Sequence, residues 1–219
     1  MRRQKFDSVL ETEHFTIHYC KGEKWIKQIS RALEESYAEL VKLFERELGP
    51  VTVKIYPDQR VFLKKKGFPI DQTWCIATSG GGREPLEIVS PSEWKDKGKI
   101  DYKKIYNLTK HEICHRYTTR KMPDYMQEGI ACYISGMRMS RERIRNVIKK
   151  TGLYSFRSKK SRMLYREGPS FVGYLVQRYG WKRMERLINL KGDFHSDFKR
   201  VYGTPVTKIQ KEWKRWVTG

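Results

Sequence analysis

His111-Glu112-Ile113-Cys114-His115 lies midway along a chain of 219 residues, and its surroundings read as a helix. Ile105, Leu108 and Ile113 recur at helical spacing, and Asp101 is a suitable N-cap. Residues i and i+4 of a helix share a face, so both imidazoles reach one point with Glu112 beside it. From this composition the pattern H-E-x-x-H arises by chance in roughly 1 chain in 100. Two imidazoles and a neighbouring carboxylate suit a metal-dependent hydrolase, with the histidines as ligands and Glu112 as general base towards water at the metal. The plain alternative is a pair of structural histidines near a glutamate.

A catalytic zinc takes three protein ligands and keeps one position open. Downstream, Asp124 and Glu128 are the candidates. The first helix is expected to run to about Arg120 and to stop before Met122-Pro123, since proline disfavours helix at the residue before it. A second helix then starts at Pro123 or Asp124 and runs to Ser135, with Gly136 closing it. His115 and Glu128 lie equally far from the centre of that turn. If the two helices pack antiparallel, Glu128 returns level with His115, whereas Asp124 stays near the turn as an N-cap. Glu128 is therefore the favoured third ligand. The longer pattern with a glycine three and a histidine six residues after the second histidine is excluded, because Thr118 and Lys121 hold those positions.

On the N-terminal side, Phe15-Thr16-Ile17-His18-Tyr19 alternates as a strand does. A long amphipathic helix is expected over Lys24 to Leu48, with Trp25, Ile29 and Leu33 as core, stopped by Gly49-Pro50. Val51 to Tyr56 reads as a strand, Gln59 to Lys66 as a short helix, Gly67 to Arg83 as a loop, and Leu86-Glu87-Ile88-Val89 as a third strand. From Tyr102 onward the patterns are helical, with breaks near Met122-Pro123, Gly136, Gly152, Gly168, Gly180 and Gly203. The expected fold is α+β: one domain with an α/β lobe over 1–100, a helical lobe over 101–219 and an active-site cleft between them.

Met122-Pro123-Asp124-Tyr125-Met126-Gln127-Glu128-Gly129-Ile130-Ala131-Cys132-Tyr133 resembles the "proline, aromatic, then Glu-Gly-x-Ala" segment of gluzincin metallopeptidases, more narrowly the peptidase MA-like domain family. Tyr165 to Leu175, followed by Arg178-Tyr179-Gly180, is similar to that family's helix after the active site. Phe194 to Trp213 is similar to its closing segment. The resemblance covers most of the chain. It implies a zincin-like fold, one zinc ion per chain held by His111, His115 and Glu128, and hydrolysis of peptide bonds with Glu112 as general base. Gluzincins employ a Tyr or His from a later helix to stabilise the oxyanion; Tyr165, Tyr174 and His195 are the candidates here, with Tyr165 favoured. Leu86 to Val89 is expected to edge the cleft and to pair with an extended peptide.

Two features depart from the resemblance. The gap between His115 and Glu128 is shorter than in the clan's large aminopeptidases, so their substrate machinery does not carry over. Gly81-Gly82-Arg83-Glu84-Pro85 only loosely resembles the Gly-x-Met-Glu-Asn segment that binds substrate N-termini there. Glu84 as an amino-terminus anchor is set against a plain charged loop.

Lys and Arg total 46 against 25 acidic residues, a formal charge of +21. Such a field attracts anions: an acidic substrate, nucleic acid or an anionic surface. The basic residues are spread along the chain, with short clusters at Lys64-Lys65-Lys66, Lys149-Lys150 and Lys159-Lys160, as a solvated surface also requires. Four cysteines without a CxxC pair exclude a disulfide scaffold, and Cys114 and Cys132 read as buried thiols. No apolar run approaches the roughly 20 residues of a membrane span. The N-terminal MRRQKFDSVLETEHF has charge but no apolar block, so a cytoplasmic protein is expected, or an exported one whose leader has been removed. The expected partner is a peptide or protein substrate, acidic ones included. The alternatives are a basic nucleic-acid or anionic-surface binding protein, which carries no known nucleic-acid motif here, and a catalytically inactive peptidase-like scaffold.

Overall fold

Phe15 and Ile17 are buried while Thr16 and His18 are half-exposed, the period-2 signature of a strand with one face on a core. A computed structural model describes residues 5–79, 84–94, 100–118, 121–152 and 163–219, and its fold is α+β. The chain forms two compact units, residues 1–116 and 117–219. The first unit is built on a five-stranded mixed sheet in the order β1-β2-β3-β5-β4: β1 Ser8–Glu11, β2 Phe15–Tyr19, β3 Val51–Tyr56, β4 Ala77–Thr78 and β5 Leu86–Val89. β2, β3 and β5 run parallel, while β1 and β4 are antiparallel additions at the two edges. The division after Arg116 differs from a lobe boundary at residue 100, because the helix of the H-E-x-x-H motif packs within the first unit.

β5 is not an edge strand of the sheet, as the expected pairing with an extended peptide would require. β3 pairs with it on one side and β4 on the other, with Ala77 opposite Ile88 and Thr78 opposite Glu87. β4 and the bond from the Val89 N–H to the Ile76 carbonyl at 2.8 Å occupy the side of Glu87 to Val89 that an added peptide strand would need. β4 escapes a sequence reading because two residues inside a loop show no periodicity.

α1 (Ile26–Phe44) is shorter than the expected Lys24 to Leu48. Trp25 is its half-buried N-cap, and Glu45 ends it in the left-handed conformation at φ 49°. Leu48 instead serves a clamp: the Tyr37 hydroxyl donates to its carbonyl at 2.7 Å and accepts from its N–H at 3.1 Å. α2 (Gln59–Lys66) has the expected bounds, capped by Asp58, which accepts from the Arg60 and Val61 N–H groups, and closed by Gly67 at φ 71°.

Glu87 on β5 is only 2% exposed. Tyr56 donates to it at 2.6 Å, Lys65 lies 2.6 Å from the same oxygen, and Lys66 pairs with the other. Two members of the Lys64-Lys65-Lys66 cluster thus neutralise a buried carboxylate, and the cluster is not simply a solvated surface. Burial pushes the Glu87 carboxyl up, but hydrogen bonds from Lys65, Lys66 and Tyr56 outweigh it and leave the group below its ordinary 4.5. A depressed folded-state pKa contributes stability that is present above pH 4.5 and lost as pH falls through the folded value. Urea midpoints of the wild type are expected to drop between pH 6 and about pH 3. In Glu87→Gln that drop becomes shallower, and an equally steep drop in the variant would refute the assignment.

The second unit is helical: α4 (Asp124–Ile134), α5 (Arg141–Thr151), α6 (Gly168–Tyr179), α7 (Trp181–Asn189), α8 (Phe194–Tyr202) and α9 (Val206–Thr218). Gly136, Gly152, Gly180 and Gly203 end helices with positive φ, as the breaks predict. Gly168 does not break the chain: a π-helical turn, Met163–Glu167, runs straight into α6 there. It is glycine because α4 passes too close for a side chain. A Cβ on Gly168 would sit 2.5 Å from the Tyr125 carbonyl oxygen, and one on Gly129 would sit 2.8 Å from the Gly168 carbonyl. Trp213 is fully buried in this unit, its indole N–H donating to Ser170 Oγ at 3.1 Å. Among the described residues no helix is long and apolar enough to cross a membrane.

Candidate metal centre

α3 spans Tyr102–Cys114, with the Asp101 side chain accepting from the Lys104 N–H at 2.9 Å as the N-cap role requires. It ends earlier than the expected Arg120, and His115 is its C-cap, still in helical geometry at φ −60°, ψ −21°. The Arg116 N–H bonds the Ile113 carbonyl at 2.9 Å, tightening the last turn. The two histidines therefore stand in the final turn, where free carbonyls and the negative end of the helix dipole favour a cation by about 0.3–1 kcal/mol.

α1 holds α3 through small side chains. Thr109 Oγ1 lies 3.1 Å from Ser36 Oγ and donates to the Ala32 carbonyl at 3.3 Å, while Tyr102 donates to Glu35 at 2.6 Å. At about 100° per residue, His111 and His115 lie roughly 200–240° around the axis from Thr109. They occupy the side of α3 turned away from α1. His111 and Glu112 are buried and His115 is half-buried.

Nε2 of His111 and Nε2 of His115 stand 3.2 Å apart, with the rings edge to face at 82°. Two nitrogens on a tetrahedral zinc with bonds of about 2.0–2.1 Å are roughly 3.3 Å apart, so the pair spans one edge of such a centre. The donor set fits the ion in kind as well, since imidazole is a common zinc ligand. Without an ion the same spacing serves an N–H···N hydrogen bond between neutral rings.

No family model matches the chain, and no curated protein matches it significantly.

Two groups among the described residues offer enough donors to share a metal ion: His111, His115 and Glu128, and Glu13, His14 and Glu34. Glu128 stands half-buried in the second turn of α4, next to the Gly129 contact with Gly168. Asp124 is not the N-cap of that helix; Pro123 takes that position and Asp124 is the exposed first helical residue. A proline at the boundary sets the entry with its fixed φ of −57° and needs no side-chain cap. In the second group, Glu34 bonds His14 twice, at Nδ1 (2.6 Å) and at the backbone N–H (3.0 Å), and His14 stacks on Tyr37 at 4.0 Å. That carboxylate fixes the turn between β1 and β2, a structural task. Glu34 lies 20 residues from His14, so no local motif announces it.

Tyr165 is 38% exposed and belongs to the π-helical turn ahead of α6, not to α6 itself. Beside it, Arg166 and Glu167 form a buried ion pair, and Arg166 also donates to Thr151 Oγ1 at 2.8 Å and to the Gly152 carbonyl at 3.1 Å. These bonds fix the turn on which Tyr165 sits. Tyr174 is buried against Trp216 at 5.4 Å, a packing position, and His195 is exposed on α8. Gly81-Gly82-Arg83 lie outside the described residues. The Glu84 backbone carbonyl, with that of Ser79 at 3.0 Å, accepts from Arg116 Nη2. Arg116 thus ties Ser79 and Glu84 to the end of α3, a role that only the fold reveals. Burial lowers its pKa below the usual guanidinium value, opposed by the charge of Glu84. The four cysteines form no disulfide, and Cys75, Cys114 and Cys132 are buried.

Proposed function

We propose that the chain is a zinc-dependent peptidase of zincin-like fold and gluzincin type. His111, His115 and Glu128 are the ligands and Glu112 is the general base. The observation that carries this reading is the 3.2 Å separation of the two Nε2 atoms at the end of α3, one residue from a buried Glu112. Zinc, when bound, polarises a carbonyl and makes water acidic enough to be deprotonated near neutral pH. Glu112 accepts the proton of the attacking water and passes it to the leaving amine. Tyr165, exposed on a turn held by the Arg166–Glu167 pair, is the proposed hydrogen-bond donor to the oxyanion. A peptide or protein is the proposed substrate, and the +21 charge favours acidic ones.

A peptide-library digest read by mass spectrometry tests this. Cleavage is expected with zinc supplied, lost on chelation and restored by zinc. A zinc-loaded protein that cleaves nothing in a broad library would count against the peptidase reading and for a scaffold that holds the metal without turnover.

A further inference from the structure

The second unit holds an open cavity of about 780 Å³ lined by the end of α4, the start of α5, α6 and Trp216 of α9. That volume is in the range of small-ligand sites. Tyr133 stands five residues after Glu128 on α4, about 140° around the axis, so the cavity opens on a different face of that helix. No acidic residue lines it, whereas Arg138 and Arg141 do.

Both guanidiniums are held on aromatic rings. Arg138 lies 4.1 Å from the centre of the Tyr133 ring, and Arg141 lies 4.3 Å from that of Trp216. Arg141 also donates to the Trp216 carbonyl, from Nε at 3.2 Å and from Nη2. Among the described residues neither arginine has a carboxylate partner. A guanidinium stacked on a ring keeps its N–H donors in its own plane, pointing past the ring edge. Arg138 spends none of its donors on a protein acceptor among the described residues. The floor beneath it is Gly173: a Cβ there would lie 3.5 Å from Arg138 Nη1 and 3.5 Å from Tyr133 Cε2. Each arginine lies over one face of its ring, so the rings pre-position the cations. What remains available is a fixed fork of N–H donors without a counter-charge, in a bounded space.

We propose that this cavity is a binding site for a small multivalent oxyanion, phosphate- or carboxylate-bearing, recognised by Arg138 and Arg141. It is separate from the metal centre and does not depend on the peptidase reading. Planar guanidinium forks match both kinds of oxyanion with paired hydrogen bonds. The test is isothermal titration of the full chain with inorganic pyrophosphate and, in a second arm, citrate, in about 0.15 M salt so that loose association with the basic surface is screened. Saturable binding of at least one is expected below about 1 mM. The arm that binds identifies a phosphate or a carboxylate source, and binding in both shows that the site reads the oxyanion alone. Arg138→Ala is expected to weaken binding at least about tenfold, the weight of one charge-assisted contact. Gly173→Leu, which keeps every charge and fills the floor, is expected to weaken it as strongly. Lys64→Ala, on α2 of the other unit, is expected to change nothing. Failure of both probes to saturate overturns the site. So does indifference to Gly173→Leu, or a loss in Lys64→Ala equal to that in Arg138→Ala, which would assign binding to the diffuse +21 charge.

Discussion

Glu112→Gln is expected to cut peptide cleavage by about 10²–10⁴-fold while zinc content stays unchanged. Glutamine keeps the shape of the side chain and a carbonyl that accepts hydrogen bonds, but it cannot take a proton from water. Glu112 is 6% exposed in the last turn of α3, so another carboxylate or bulk water has little access to replace it. The substitution separates chemistry from folding: the amide keeps the size of the side chain and its hydrogen-bonding carbonyl, and the unfolding free energy from urea titration is expected to hold within about 1 kcal/mol. Cleavage rates compared at equal zinc loading decide the matter. Near-wild-type turnover in Glu112→Gln would remove this residue from the mechanism.

Gly168→Ala is expected to destabilise the second unit by about 3 kcal/mol or more, the upper range for overpacking a dense interior. The added Cβ would lie 2.5 Å from the Tyr125 carbonyl oxygen, 3.4 Å from its carbon and 3.6 Å from the Gly129 Cα. All three atoms are backbone of α4, so no rotamer change relieves the contact and the helices must separate. Gly173→Ala, five residues along the same helix, is the internal control. Its Cβ would meet only side-chain atoms at 3.5 Å, an ordinary contact. Helix propensity then predicts a neutral result or a gain of up to about 1 kcal/mol. Because α4 also carries Glu128, next to Gly129, the displacement in Gly168→Ala is expected to lower zinc affinity as well. Urea titration of the two variants, followed by zinc affinity, reads both effects. Equal stabilities would show that the α4–α6 contact is softer than the 2.5 Å approach implies.

The features legible in the sequence are those fixed by neighbours along the chain. α2 begins and ends where expected because Asp58 and Gly67 supply both caps within the segment itself. The His111 and His115 pairing is equally local, one turn of one helix. Features set by distant partners were not legible. α1 stops at Phe44 because Glu45 adopts a left-handed conformation that only glycine announces, and because Tyr37 claims Leu48 for a clamp. β4 exists because β5 offers it a partner, and that same pairing removes β5 from the sheet edge where substrate pairing was expected. Gly168 reads as a break in one dimension but is a contact in three. Arg116 and the Arg138–Tyr133 and Arg141–Trp216 pairs carry no motif, since a chain with this many basic residues hides which of them are held in place.

Metal content tests the central claim most directly. Purified wild type, Glu128→Ala and Glu112→Gln are each equilibrated with zinc, passed through a desalting column and assayed for zinc per chain by mass spectrometry. The proposed centre predicts close to one zinc per chain in wild type and in Glu112→Gln, and a strong loss in Glu128→Ala, which leaves two imidazoles to hold the ion. Zinc-free wild type after that treatment would contradict the account, and the 3.2 Å pair of imidazoles would then be a hydrogen bond at the end of a helix.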